Sequence, residues 1–209
     1  MNVLEHLEPK SVFRFFEEMC AIPHGSRNTK AVSDWCADFA RARGLEYHQD
    51  GDNNIIIIKE AAPGYEAAPP VILQGHLDMV CEQTADCQKD MSREGLDLAV
   101  DGDFVYAKGT TLGGDDGIAV AMALALLDAE GLPHPRLEAV FTVDEEIGLL
   151  GAASIDVTPL KGRQMLNLDS EAEGIFTVSC AGGNTSACLL PLTRAPFDGA
   201  GVTVAVGGL

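Results

Sequence analysis

Val71-Ile72-Leu73-Gln74-Gly75-His76-Leu77-Asp78 is the stretch on which the fold turns. It leaves an Ala-, Pro- and Gly-rich loop at 61–70 and opens with a short apolar run that reads as a buried strand. At its carboxyl end the strand delivers polar groups, His76 and Asp78. The same construction recurs twice. Residues 137–143 form a second apolar strand with Asp144-Glu145-Glu146 at its tip, and 164–168 form a third that ends at Asp169. In an open parallel sheet, ligands bind outside the carboxyl ends of the strands. Polar groups at three such ends can converge on one place.

The rest of the chain supplies what such a sheet needs. Residues 11–20 read as an amphipathic helix with Val12, Phe13, Phe16 and Met19 on one side, broken by Ile22-Pro23-His24-Gly25-Ser26. Asn28 or Thr29 can cap a second helix running to about Arg43, with Gly44 as its stop. Strands are expected at 45–48 and 53–59, around the turn at 50–53, and a hairpin at 97–107 around Asp101-Gly102. Residues 116–129 form an apolar helix ended by Gly131 and Pro133. Three further strand-like runs lie at 174–180, 185–191 and 202–206. Hydrophobic residues make up 46% of the chain and aromatics only 6%, which suits buried parallel strands better than a β-sandwich. The expected fold class is α/β, a mostly parallel sheet flanked by helices.

Charge narrows the partners. The 209 residues hold 32 acidic against 14 basic side chains, a formal net charge of −18. A body this acidic repels phosphate backbones and anionic lipid, so neither nucleic acid nor a membrane is an expected partner. Cysteines at 20, 36, 81, 87, 180 and 188 include no C-x-x-C pair, which disfavours a thiolate zinc site. The first residues are acidic where a secretory signal is basic, and no run approaches the roughly 20 apolar residues of a membrane span. Cytoplasmic residence with reduced thiols is the expectation.

Each polar tip has an ordinary reading and a chemical one. His76-x-Asp78 places an imidazole and a carboxylate on one side of an extended segment. A metal-binding imidazole needs an acceptor for its other N–H, which Asp78 can supply. On that tripeptide alone, a histidine satisfied by a neighbouring aspartate is the simpler reading. Residues 110–117, TTLGGDDG, make a Gly-rich approach to a helix but lack the lysine of a phosphate loop. Asp115 either offers both oxygens to two cations or merely opens an acidic first helical turn. Asp144-Glu145-Glu146 is either a solvated acidic loop or a division of labour, because neighbours in an extended chain point opposite ways. Asp169, near Asn167, Ser170 and Glu171, poses the same choice.

Jointly the choice narrows. One histidine and several carboxylates at adjacent strand tips repel one another when ionised, so either their pKa values rise or cations neutralise them. Two divalent cations outweigh the charge of Asp115, Glu146 and Asp169 and leave a centre able to acidify water and polarise a carbonyl. Mixed imidazole and carboxylate ligation suits zinc, with manganese or cobalt as alternatives.

The segments GHLDMV (75–80), GTTLGGDDGIAVAMALALL (109–127), FTVDEEIGLLGA (141–152) and LNLDSE (166–171) resemble, in order and spacing, the co-catalytic zinc peptidases that include aminoacylases and glutamate carboxypeptidases. HLDMVCE and LNLDSEAEG point to the aminoacyl-histidine (Xaa-His, or cytosol non-specific) dipeptidase branch. The resemblance covers essentially the whole chain. It implies His76, Asp115, Glu146 and Asp169 as ligands of two zinc ions, with Asp115 bridging. It also implies Asp78 as the residue that orients His76, Glu145 as general base, and a cis peptide between Asp115 and Asp116. The implied reaction is hydrolysis of unblocked dipeptides, Xaa-His and broader, by a water that two zinc ions activate.

Members of that family are longer. The resemblance therefore casts residues 1–184 as a catalytic domain lacking its return segment, and 185–209 as the opening strands of a lid. A homodimer would form through the lid of a full-length form. None of His6, His24, His48 or His134 matches the family's last histidine ligand, so weak metal binding and little turnover are expected of these 209 residues alone. Two rivals share the same residues: an N-acyl amino acid amidohydrolase, and a non-catalytic metal-binding fragment.

Overall fold

Four consecutive isoleucines, Ile55 to Ile58, are all buried, which requires cover on both faces of the strand that carries them. The computed structural model describes residues 3–170, 174–179, 182, 187–193, 195, 196 and 198–204. The chain divides into two units, Met1–Ala172 and Glu173–Leu209.

In chain order the first unit holds α1 (Lys10–Cys20), α2 (Lys30–Ala42), β1 (Glu46–Gln49), β2 (Ile55–Lys59), β3 (Val71–His76), β4 (Leu98–Asp101), β5 (Phe104–Ala107), α3 (Gly114–Asp128), β6 (Leu137–Thr142), α4 (Leu150–Ser154) and β7 (Gln164–Asn167). Five strands form one sheet in the order β1-β2-β6-β3-β7, and β4 and β5 form a separate antiparallel hairpin. The expected α/β layout is present. The sheet is mixed: β3 runs parallel to both β6 and β7, while β2 is antiparallel to β1 and β6. The parallel half is the half that carries the polar tips.

Side-chain alternation builds two cores. Ile55, Ile57, Leu73, Ala139 and Phe141 pack with α1, α2 and α3 on one face, and Ile56, Ile58, Ile72 and Val140 pack with Ile155 and Leu160 on the other. Each such side chain contributes about 1.5–3 kcal/mol of burial. In α1 the buried residues are Val12, Phe15, Phe16, Met19 and Cys20. Phe15 thus takes the inward place that the sequence pattern gave to Phe13, because the helix packs against both α2 and α3 and buries a broader arc than one stripe. Phe15 meets Phe39 edge-on at 5.4 Å. Small residues let α3 approach closely; a Cβ at Gly117 would stand 3.2 Å from the Phe16 ring.

The short helix α4 has no counterpart in the sequence reading. The strands expected at 174–180, 185–191 and 202–206 are not seen in their described members, 174–179, 187–191 and 202–204, which join no ladder. Positions 180, 185, 186, 205 and 206 lie outside the described residues. Phe176, Val178, Leu189 and Val202 are exposed; apolar residues at strand spacing supply propensity, but a strand also needs a partner to exchange hydrogen bonds with. No helix among the described residues is long and apolar enough to cross a membrane.

Candidate metal centre

Parallel pairing puts the three polar tips side by side. His76 lies level with Thr142 of β6, and Gln74 with Asn167 of β7, so the segments leaving β6, β3 and β7 emerge at one edge. The amino end of α3 arrives at the same edge. A Cβ at Gly113 (φ 67°) would stand 2.8 Å from Met79 Sδ, so only a residue without one allows this approach. The peptide between Asp115 and Asp116 is cis, as the resemblance implies.

His76 is fully buried and points its two nitrogens at different partners. Nδ1 lies 2.9 Å from the Asp78 carbonyl oxygen, which can only accept, so Nδ1 carries the proton and donates. The Asp78 carboxylate, expected to fill this role, stands farther from Nδ1 at 3.4 Å. Nε2 then faces Asp115 Oδ1 at 3.0 Å and Glu145 Oε2 at 3.9 Å. A bare ring nitrogen against two carboxylates is repulsive unless a proton or a cation lies among them.

All five sequence-predicted metal and base residues come together. Ligand atoms of His76, Asp115 and Glu146 lie within 4.8 Å of one another, and so do those of His76, Glu145 and Asp169. The two groups share His76, and the adjacent glutamates divide between them. Metal–ligand bonds of about 2.0–2.2 Å place ligand atoms around one ion at separations of this order. The donor set and its spacing fit a divalent cation.

The proton affinities follow from the crowding. Burial alone would lower His76, but its hydrogen bonds to Asp78 and Asp115 and the charges of Asp116 and Asp78 outweigh this and push it up to about 9. Burial raises Asp116 to about 7, aided by Asp169 and Asp115. Glu145 and Glu146 are raised as well, first by burial and then by the carboxylates around them. Asp78 moves the other way: burial opposes its charge, yet hydrogen bonds from His76, Glu145 and Ser26 hold it below the usual carboxylate range.

Sequence reasoning missed three supports of the centre. Asp116, read as part of a helical turn, is buried and its Oδ2 accepts the His76 backbone N–H at 3.3 Å. Asn54 reaches from the end of the β1–β2 turn to accept the Val143 N–H at 3.1 Å, holding the tip of β6. Ser26 donates to Asp78 Oδ2 at 2.8 Å from the loop between α1 and α2. The Asn167 side-chain amide donates to Gln74 Oε1. His134 sits in a loop with Nδ1 against the Pro135 carbonyl and takes no part in the centre. A cavity of about 680 Å³ lies at the other end of α3, lined by Arg43, Lys59, Asp128 and His134 among others. Its one lysine is spent on helix carbonyls, and it holds none of the ligand atoms.

An α/β sheet whose parallel tips gather one imidazole and several carboxylates offers donors for a divalent cation where such sheets bind their ligands. The chain belongs to Peptidase family M20/M25/M40, whose family model matches residues 72–184. Over 183 residues it is 38% identical to the cytosol non-specific dipeptidase of Escherichia coli K12, an alignment covering 88% of this chain and 38% of that one. The aminoacylhistidine dipeptidase of Vibrio alginolyticus superposes with a TM-score of 0.79 at 38% identity, over 82% of this chain and 35% of that one. A tripeptidase from Staphylococcus aureus subsp. aureus mu50 shares the fold, with a TM-score of 0.64 at 22% identity over 78% of this chain and 44% of that one. The chain thus spans little more than a third of the length of the dipeptidases it resembles.

Proposed function

We propose that the protein carrying this chain hydrolyses unblocked dipeptides, Xaa-His among them. In this reading His76, Asp115, Glu146 and Asp169 hold two divalent metal ions, zinc foremost, and Glu145 is the general base. The observation that carries it is the pair of donor groups that share His76: one adds Asp115 and Glu146, the other adds Asp169 with Glu145 beside it, where a base would stand. The names of the two dipeptidases at 38% identity favour a free dipeptide over an N-acyl amide. Residues 1–184 act as the catalytic portion and 185–209 begin a lid, through which a full-length form would dimerise. The cytoplasm is the proposed compartment, and the net charge of −18 argues against nucleic acid or membrane partners.

When bound, the metal ions supply the positive charge that acidifies a water and polarises the scissile carbonyl. The side chains do the rest. Glu145, its proton affinity raised by burial and by neighbouring carboxylates, takes a proton from the water as its oxygen adds to the carbonyl carbon. As the C–N bond breaks, Glu145 returns that proton to the leaving amine. His76 is kept in the tautomer that leaves Nε2 free, and Asp78 holds the backbone N–H groups of Glu145 and Glu146 at 3.0 and 3.4 Å.

Glu145→Gln tests the assignment. It should lower dipeptide turnover by about 10²–10⁴-fold, the usual worth of a general base, with metal content by atomic absorption unchanged. A variant that keeps substantial turnover removes Glu145 from that role, and a set of free and N-acetylated dipeptides separates the substrate classes.

A further inference from the structure

The Asp78 carboxylate is buried and faces four donors: the Glu145 N–H at 3.0 Å and His76 Nδ1 at 3.4 Å on Oδ1, and the Ser26 hydroxyl at 2.8 Å and the Glu146 N–H at 3.4 Å on Oδ2. The shortest of the four comes from outside the sheet. Ser26 belongs to the loop between α1 and α2, a segment that supplies no ligand atom. That loop is seated firmly. Its His24 carbonyl accepts the Met79 N–H at 3.2 Å, and the Ser26 N–H donates to the Met79 carbonyl at 3.3 Å. The Arg27 N–H donates to Asp144 Oδ1 at 2.6 Å. A Cβ at Gly25 would stand 2.5 Å from Cys81 Sγ, so the loop lies directly against the chain leaving β3.

From this arrangement we infer that Ser26 is a positioning residue of the metal centre: its hydroxyl fixes the Asp78 carboxylate, and Asp78 in turn aims Glu145 and Glu146 through their backbone N–H groups. The inference rests on the metal-centre reading proposed above. The physical reason is directional. A carboxylate with two oxygens in different environments is held against rotation only if both are anchored. Without the Ser26 hydroxyl, Oδ2 keeps, among the described residues, only the long contact to Glu146, while Oδ1 keeps its bond to Glu145. Asp78 can then turn, and the two glutamates lose their common reference. A hydrogen bond to an ionised acceptor is the strong kind, so its loss is felt at the ligands. Changes to residues that orient metal ligands lower metal affinity by about 10–100-fold.

The test is calorimetric titration of zinc into the full natural protein and its variants, with cobalt substitution to record the ligand-field spectrum. Ser26→Ala should weaken zinc binding at least about tenfold and alter the cobalt spectrum, while Ser26→Thr, which keeps the hydroxyl, should restore both. Asn28→Ala is the control for loop stability alone, because Asn28 bonds the Ser92 carbonyl at 3.0 Å and is not bonded to Asp78. It should leave affinity and spectrum as they are. If Ser26→Ala does not fold, as circular dichroism would reveal, Ser26→Gly takes its place with the same expectation. Wild-type affinity and spectrum in the hydroxyl-free variant, or equal losses in Asn28→Ala, overturn the inference. A wild-type protein that binds no zinc overturns the metal-centre reading itself, a different and distinguishable result.

Discussion

Gly151 has no room for a methyl group. A Cβ there would stand 2.3 Å from Asn54 Oδ1 and 2.4 Å from the Val143 carbonyl oxygen, the atoms that hold the tip of β6. Because one of these is backbone, the clash cannot be relieved by a rotamer change, and Gly151→Ala should cost about 3 kcal/mol, the upper range for overpacking. Gly51→Ala, with nothing within 4 Å, should be nearly neutral. Urea denaturation of the two variants side by side checks the contrast. At this scale the sequence was readable where chemistry and position coincide. His76, Asp115, Glu145, Glu146 and Asp169 each follow an apolar run or a Gly-rich turn, and that pattern marks an element's end. Asn54 and Ser26 carry no such mark, and Asp116 shares that of Asp115 without revealing its different role, because the work of all three depends on which distant segment folds against them.

Elements are positioned by their unpaired ends. The last carbonyls of α3 have no partner within the helix, and Lys59, at the end of β2, supplies one: its Nζ donates to Ala129 O at 2.7 Å, Leu127 O at 2.9 Å and Leu126 O at 3.3 Å. Lys59→Met keeps the stem and removes the ammonium. It should lower stability by about 2 kcal/mol, the upper range for a cation at a helix carboxyl end, as thermal melting would show. On the other face, buried Glu138 accepts Arg136 Nε at 2.7 Å and the Lys161 and Gly162 N–H groups at 2.9 Å, which fixes the chain just before it enters β7. Burial opposes the Glu138 charge, but Arg136 and these amides hold its pKa below the ordinary 4.5. A carboxyl depressed in the folded state stabilises above its unfolded value and loses that contribution as pH falls through the folded one. Glu138→Gln leaves the buried Arg136 with only the exposed Glu60 as charge partner among the described residues and should cost about 3 kcal/mol at neutral pH, the lower range for breaking a buried pair. Its stability should also depend less on pH below 4.5 than the wild type's, measured by denaturation across that range. Strands and helices with a strong period were legible beforehand; α4 and the order of strands in the sheet were not, since both are set by tertiary pairing rather than by local pattern.

The whole molecule carries its charge unevenly in consequence. Of a net −18, several carboxylates are gathered at one sheet edge, where burial and mutual repulsion raise Asp116, Glu145 and Glu146. Such an edge costs the fold free energy when it is empty of cations, and a ligand that binds only the folded state returns it. At a free zinc concentration a hundredfold above the dissociation constant, mass action stabilises by about 2.7 kcal/mol per site. For a domain of this size each kcal/mol raises the melting temperature by about 2–4 °C, so each site filled with zinc should raise it by about 5–10 °C and a chelator should reverse the rise. Screening must be told apart from coordination. Sodium chloride at matched ionic strength weakens exposed repulsion but cannot fill a position among His76 Nε2 and the carboxylate oxygens. Calorimetric scans in the two salts decide: an equal rise in sodium chloride would reduce the tips to a patch of ordinary acidic surface, whereas a rise specific to zinc, and lost in a His76→Ala variant, ties the stability of the sheet to the ion at its edge.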